Sequence, residues 1–308
     1  MKKSKTVNNF YQLSKCKICN QNGIKIYSKS FNDKIFRNFF SSYYGLAKYK
    51  KLSDKIKTIN YELLKCKDCE FIWQKNIPKK NLNIDLYENI IDKEISLEKS
   101  KLKYLKKKIN NKKEIQKLIS FFKINKINIL DFGAGWGHWL MSGLGLNCNS
   151  YALELSPSRK KFIIFNKINI LNLTDIDLFK KFFHYIRLDQ VLEHLDKPGD
   201  VLEMIKNLGN KNCIYYISVP DGSEVIKKEN IHKIAKGPVQ PLEHLNCFSK
   251  KSLIKILDIH GFRPLNLSEI VIINFKDLTF DITSFKSFFL DIKNHFFSTS
   301  IKFRLKNR

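Results

Sequence analysis

Between Lys126 and Pro220 one pattern recurs: a short apolar, β-favouring run closed by turn or polar residues, followed in most cases by a stretch with helical spacing. The runs are KINILDFGAG (126–135), NSYALELS (149–156), INILNLTD (168–175), FFHYIRL (182–188) and CIYYISVP (213–220). Strands that alternate with helices predict an α/β fold, with a parallel sheet covered on both faces and ligands bound outside the carboxyl ends of its strands. HGFRPLNLSE and VIINF supply two later strand candidates.

The first run ends in Asp131-Phe132-Gly133-Ala134-Gly135-Trp136-Gly137. Glycine lets a chain leave a strand in a tight turn at positive φ, with no β-carbon blocking a ligand. The dinucleotide fingerprint needs G-x-G-x-x-G, and here the third glycine comes one residue early; no GK[ST] follows, which argues against a phosphate loop. Glu154 ends the next run 23 residues after Asp131. A carboxylate there can accept both hydroxyls of a ribose. Trp136 and His138 are local to the loop, with Trp136 placed to stack beside a cofactor, whereas Trp139 is read as packing a helix on the sheet.

Seven cysteines include two CxxC pairs, Cys16/Cys19 and Cys66/Cys69, separated by a 46-residue insertion. Four thiolates of this kind hold one tetrahedral Zn²⁺, and the closed set leaves no open position for catalysis, so a structural zinc is expected. Cys148, Cys213 and Cys247 read as small buried hydrophobes. The intervening aromatics Phe31, Phe36, Phe39, Phe40, Tyr43, Tyr44 and Tyr49 make residues 1–80 a module of their own. Residues 81–122 read as a helical linker, with Leu97, Leu102, Leu105, Ile109, Ile115 and Leu118 at helical spacing and a break at Asn110-Asn111. The catalytic-looking domain spans 123–280. A tail at 281–308, carrying Phe285, Phe288, Phe289, Phe296, Phe297 and Phe303 among lysines, reads first as an amphipathic cap on the core and second as a weak membrane or partner contact.

The net charge of +27 would ordinarily point to nucleic acid or another anionic partner. Here lysine predominates and is accompanied everywhere by Asn, Ile and Phe, as an A·T-rich coding sequence would produce. Composition is therefore the first reading and an anion-facing surface the second. No apolar stretch reaches the roughly 18 residues that cross a bilayer, and no apolar leader follows MKKSKTVNNF, so a cytoplasmic protein with no transmembrane segment is expected.

The loop and its neighbours resemble the class I S-adenosylmethionine-dependent methyltransferases of the small-molecule branch. Asp131, Gly133, Gly135 and Gly137 fit that family's D/E-x-G-x-G-x-G loop, and Glu154 matches its ribose-binding acid. Asn172 or Asp175 falls where the family approaches the adenine amino group. FHYIRLDQVLEHLDKP resembles its fourth strand and following turn from Phe183 to Pro198, with His184 replacing the usual aspartate. SVPDG and PLEHLNCFSKKSLIKILDIHGF fit later segments, including Glu243, His244, Phe248 and Gly261. The cysteine module resembles that of bacterial sugar C-methyltransferases. The resemblance implies a Rossmann-like seven-stranded methyltransferase sheet with S-adenosylmethionine as cofactor.

Methyl transfer from a sulfonium asks the protein chiefly for alignment, plus a base where the acceptor carries a proton. His194 is the first base candidate, with Glu193 as its orienting carboxylate, and His244 the second. Some quinone-pathway relatives hold a metal on a comparable EVIEH motif, but Gln190 replaces its first acid here. The leading expectation is methylation of a small molecule, plausibly an anionic nucleotide-linked sugar or polysaccharide precursor. An RNA or protein methyltransferase is the first alternative, disfavoured by Asp189-Gln190-Val191-Leu192 where an N/D-P-P-Y/F tetrad would stand; a non-catalytic scaffold is the second. The oligomeric state is left open.

Overall fold

The computed structural model describes residues 9–226, 237–265 and 300–307. The chain opens with β1 (Phe10–Gln12), β2 (Gly23–Ser30), α1 (Lys34–Tyr44), α2 (Leu46–Ile56), β3 (Asn60–Cys66), β4 (Ile72–Gln74), β5 (Asn76–Pro78) and α3 (Lys80–Asp85). A π-helical turn at Leu86–Ile90 leads to α4 (Lys93–Phe122). Then come β6 (Ile127–Phe132), α5 (His138–Met141), β7 (Cys148–Leu153), α6 (Pro157–Phe165), β8 (Asn169–Ile170) and β9 (Phe183–Asp189). A 3₁₀ turn at Leu192–His194 precedes α7 (Pro198–Leu208), β10 (Gly209–Pro220), α8 (Ser223–Ile226), β11 (Asn246–Cys247), α9 (Lys250–Ile259), β12 (Phe262–Pro264) and β13 (Ser300–Asn307).

These elements form two compact units. The first takes the described residues of Met1–Ser96, Glu193–Asp196 and Asp221–Leu253, so the cysteine-bearing segment folds together with two later pieces of chain. Its four-stranded sheet has the order β11-β4-β3-β2, and β1 pairs with β5. The insertion between the cysteine pairs supplies β2, α1, α2 and β3. Asp33 caps α1 by accepting from the Ile35 amide at 2.9 Å. Phe31, Phe36, Phe40, Tyr44 and Tyr61 share one core cluster, with Phe31 edge-on to Phe36 at 5.3 Å. Burying such rings contributes roughly 1.5–3 kcal/mol each.

The second unit takes Leu97–Leu192, Lys197–Pro220 and the described residues of Ile254–Arg308. Its seven-stranded sheet has the order β12-β13-β10-β9-β6-β7-β8. Strands β8, β7, β6, β9 and β10 run parallel, while β13 lies antiparallel between β10 and β12. From β6 the chain moves outward to β7 and β8, then crosses to β9 on the other side. That reversal opens a crevice at the carboxyl ends of the strands, where open α/β sheets bind ligands. Ile127, Ile129, Ala152 and Ile214 are fully buried in its core, with Trp139 of α5 packed against Tyr185 at 5.8 Å.

Two expectations need correction. α4 runs unbroken through Asn110-Asn111: asparagine inside a helix costs only about 0.7 kcal/mol relative to alanine, too little to break thirty residues. The interruption falls earlier, where Asp92 accepts from the Ile95 amide at 3.0 Å and starts the helix. On α4 only Ile115 and Leu118 are buried, and Leu102, Leu105 and Ile109 are exposed. The end of the tail is a strand rather than a cap. In SIKFRLKN apolar Ile301, Phe303 and Leu305 alternate with Lys302, Arg304 and Lys306, which is strand periodicity, and Leu305 is fully buried. The phenylalanines from Phe285 to Phe297, and the VIINF strand candidate, lie outside the described residues.

Candidate cofactor and catalytic site

Gly133, Gly135 and Gly137 follow β6 with φ of +72°, +59° and +70°, a region that side chains rarely adopt. Their surroundings differ. A β-carbon on Gly133 would lie 2.8 Å from Val191 Cγ2, whereas one on Gly135 would meet nothing within 4 Å. Gly133 thus lets the loop close against the turn after β9, and Gly135 presents bare backbone to open space. The Gly133 and Ala134 amides bond to the Leu153 carbonyl at 2.8 and 3.2 Å, tying the loop to the end of β7.

Glu154, at that strand end, is 8% exposed. Its Oε2 accepts from the Gly135 amide at 2.9 Å, and its Oε1 from the amides of Leu155 and Ser156 at 2.8 and 2.9 Å. A carboxylate offers about four lone-pair sites, so three structural bonds fix its orientation and leave capacity toward the cleft. That cleft, about 270 Å³, is lined by Leu153, Glu154, Leu155, Lys160, Leu171, Asn172, Leu173 and Thr174. Asn172 thus lies at the cleft and donates to Asp175 Oδ2 at 3.3 Å; both are exposed. Trp136 packs edge-on to Phe162 at 5.4 Å, with Arg159 over its ring at 5.9 Å. His138 stacks on Tyr104 at 5.2 Å and its Nδ1 lies 2.7 Å from Ser100 Oγ.

Asp131, before the loop, is 3% exposed and paired with Arg187 of β9, Nη1 to Oδ1 at 3.1 Å. Burial, opposed by Arg187, pushes its carboxyl up to about 6. His184 of the same strand accepts the Asn128 amide on Nδ1 at 3.0 Å; the acceptor role fixes the neutral tautomer with its proton on Nε2. Sequence reasoning missed Arg187. Its signal was a single arginine inside an apolar strand, FHYIRL.

In the first unit Glu193, His194 and His244 come together, with one ligand-type atom of each within 4.8 Å of the others. The two imidazoles meet edge to face at 4.8 Å, and Glu193 is 1% exposed. His194 Nδ1 lies 2.9 Å from the Glu243 carbonyl. A carbonyl only accepts, so Nδ1 carries the proton and Nε2 of the neutral ring holds its lone pair. Burial, reinforced by His194, pushes His244 down to about 3. The Glu243 side chain is held in turn: its Oε1 accepts from Tyr44 Oη at 2.7 Å and Gln240 Nε2 at 2.6 Å. Tyr44 was not a candidate, because a partner brought from α1 by folding leaves no local mark in the sequence; Gln240 lies only three residues before Glu243, and its proximity was the signal.

The four cysteines converge. Sγ separations are 3.6 Å for Cys16–Cys69, 3.4 Å for Cys19–Cys66 and 3.8 Å for Cys19–Cys69. A tetrahedral zinc with bonds of about 2.3 Å spaces its sulfurs by roughly 3.8 Å, so the set fits. Both knuckles are built alike. Asn20 and Glu70 take φ of +60° and +63° four residues after Cys16 and Cys66, and the Cys16 and Cys66 amides bond forward to the Gln21 and Phe71 carbonyls, each at 2.8 Å. The Cys69 thiol is pushed up, chiefly by its hydrogen bond with Cys16 and then by burial, a cost that a bound cation would offset.

A Rossmann-like sheet with its glycine loop at the crossover and an acid on the next strand defines a methyltransferase of the S-adenosylmethionine-dependent class. The chain belongs to the methyltransferase domain family, which matches it over residues 104–267. No curated protein matches it. Among solved structures it is similar to an S-adenosylmethionine-dependent methyltransferase from Thermotoga maritima (15% identity over 49% of this chain and 71% of that one, TM-score 0.36). Another of that class from Archaeoglobus fulgidus shares 16% identity over 64% of this chain and 92% of that one, TM-score 0.38. The 1,6-didemethyltoxoflavin-N1-methyltransferase of Burkholderia thailandensis shares 18% over 46% and 63%, TM-score 0.35. Among the described residues no helix is long and apolar enough to cross a membrane.

Proposed function

We propose that the chain methylates a proton-bearing position on a small molecule of the nucleotide-linked sugar or polysaccharide-precursor class, with His194 taking the proton. The observation that carries the reading is the bond between His194 Nδ1 and the Glu243 carbonyl at 2.9 Å, which leaves Nε2 as the basic nitrogen. The Glu243 carbonyl orients the imidazole, and Glu193, with a carboxylate oxygen within 4.8 Å of a ring nitrogen, offsets its charge once protonated. His244, held neutral by burial, is a polar neighbour in this reading rather than the base.

S-adenosylmethionine, when bound, supplies the methyl group from its sulfonium. Gly133, Gly135 and Gly137 would give backbone room for the methionine part, Glu154 would accept from a ribose hydroxyl at the acceptor site that its three amide bonds leave, and Asn172 or Asp175 would meet the adenine amino group. Trp136 packs beside the loop. An anionic acceptor suits the net charge of +27, and the four-cysteine module resembles that of sugar C-methyltransferases.

Radiolabelled methyl transfer against nucleotide-sugars, small amines, phenols and RNA tests the acceptor class. Label in a nucleotide-sugar at the exclusion of RNA is the expected result. Transfer to RNA alone would overturn the reading.

A further inference from the structure

Arg187 stands opposite Asp131 of β6 and Tyr216 of β10 in the two parallel ladders of the central strand β9. Its guanidinium donates from Nη1 to Asp131 Oδ1 at 3.1 Å and from Nη2 to Asp189 Oδ2 at 2.5 Å. Its faces lie against the rings of Trp139 at 5.0 Å and Tyr216 at 5.6 Å. The Arg187 side chain is 16% exposed and that of Asp131 4%. A charge held that deep is costly unless its partners are well placed, and a planar fork lying against two rings serves both carboxylates at once.

The two carboxylates begin two different pieces of backbone. Asp131 precedes the glycine loop by one residue. Asp189 immediately precedes Gln190, which takes φ of +60° and bonds to Ser218 through its amide at 2.8 Å and its side chain at 3.1 Å. The next residue, Val191, is the one against which Gly133 closes. One guanidinium therefore ties together the roots of both turns that flank the crossover crevice.

We propose that Arg187 is a positioning residue for the cofactor, fixing the glycine loop against the Gln190-Val191 turn through its fork on Asp131 and Asp189. The inference rests on the reading that S-adenosylmethionine binds at that loop. It carries a pH consequence. The groups facing Asp131 are Arg187 and Asp189 on β9 and Glu114 on α4, with Arg304 of β13 3.9 Å from Glu114. Arg187 is the cation that opposes the burial of Asp131, so its removal raises the pH at which Asp131 loses its charge. The cofactor brings a cationic sulfonium and ammonium, so binding weakens as that charge is lost.

The test is calorimetric binding of S-adenosylhomocysteine and S-adenosylmethionine between pH 5.5 and 8.5 by wild type, Arg187→Met and Arg187→Lys. Wild type is expected to lose S-adenosylmethionine affinity on the acid side of about pH 6. Arg187→Met is expected to bind at least tenfold more weakly at pH 7, with the acid limb moved upward. Arg187→Lys keeps the charge and loses the fork, so it weakens binding several-fold with the limb near its wild-type place; it also stands in if Arg187→Met fails to fold. In turnover the cofactor KM rises while kcat at saturation stays within a few-fold. Wild-type affinity in the variants, or weakened binding with an unmoved limb in Arg187→Met, overturns the proposal. Absence of binding by wild type would instead defeat the cofactor reading itself.

Discussion

Gly133 and Val191 touch so closely that a β-carbon on the glycine would sit 2.8 Å from Val191 Cγ2. Two separate penalties therefore attend Gly133→Ala: the contact itself, and a φ of +72° that alanine adopts only with strain. Together they are expected to cost about 2–4 kcal/mol in stability and to weaken cofactor binding. Val191→Ala added to Gly133→Ala should return the contact part and leave the backbone part. Denaturant melts of the two variants separate them, and equal stability of both would show that the contact carries no weight.

The sulfur spacings of the cysteine cluster predict about one equivalent of tightly held zinc per chain. Cys16→Ser and Cys69→Ser each open the closed set, and elemental analysis should find the metal lost from both. Chelation of the wild type should lower the melting temperature of the unit carrying Phe31, Phe36 and Phe40, since the metal's binding energy is folding energy there. Metal-free wild type with an unchanged melt would contradict the assignment.

His184 is pushed below the usual imidazole range by burial, and its Nδ1 accepts the Asn128 amide. The folded protein thus holds it neutral where the unfolded chain binds a proton. Its contribution to stability is present above the unfolded value of about 6.5 and is lost as pH falls through it. His184→Asn keeps an acceptor that does not titrate. Melts from pH 7.5 to 5 should show a flatter decline in the variant; identical declines would mean that His184 titrates alike in both states. Asp131 shifts in the opposite sense but is common to both proteins and leaves the difference unaffected.

For the base, His194→Ala is expected to lower kcat by about 10²- to 10⁴-fold while the dissociation constant for S-adenosylhomocysteine stays within a few-fold. His244→Ala should retain most of the turnover, because a ring held neutral down to about pH 3 takes no proton at neutral pH. Larger losses in His244→Ala than in His194→Ala would exchange their roles.

The strands, the glycine loop and the cysteine pairs were legible because each is written in contiguous residues: KINILDFGAG is a strand and its turn within ten letters. The strand at 300–307 is marked by its alternation, but lysines mixed with phenylalanines over 281–308 fit an amphipathic helix face equally well. Asparagine at 110 and 111 misled because a weak local propensity yields to a long helix. Arg187 with Asp131, and Tyr44 with Glu243, were beyond reach: each pair meets only after strands or helices distant in sequence have been brought together. Their side chains announce charge or polarity, not partners.

The proposed cofactor site is the loop between Asp131 and Gly137, with the ribose on Glu154. Calorimetric titration of wild type and Glu154→Ala with S-adenosylmethionine tests it most directly. A carboxylate lost from a ribose hydroxyl and from three backbone amides should weaken binding by about 10- to 100-fold in an otherwise folded protein. Saturable wild-type binding, reduced by that amount in the variant, is the predicted result; no binding by wild type, or equal binding by both, would contradict it.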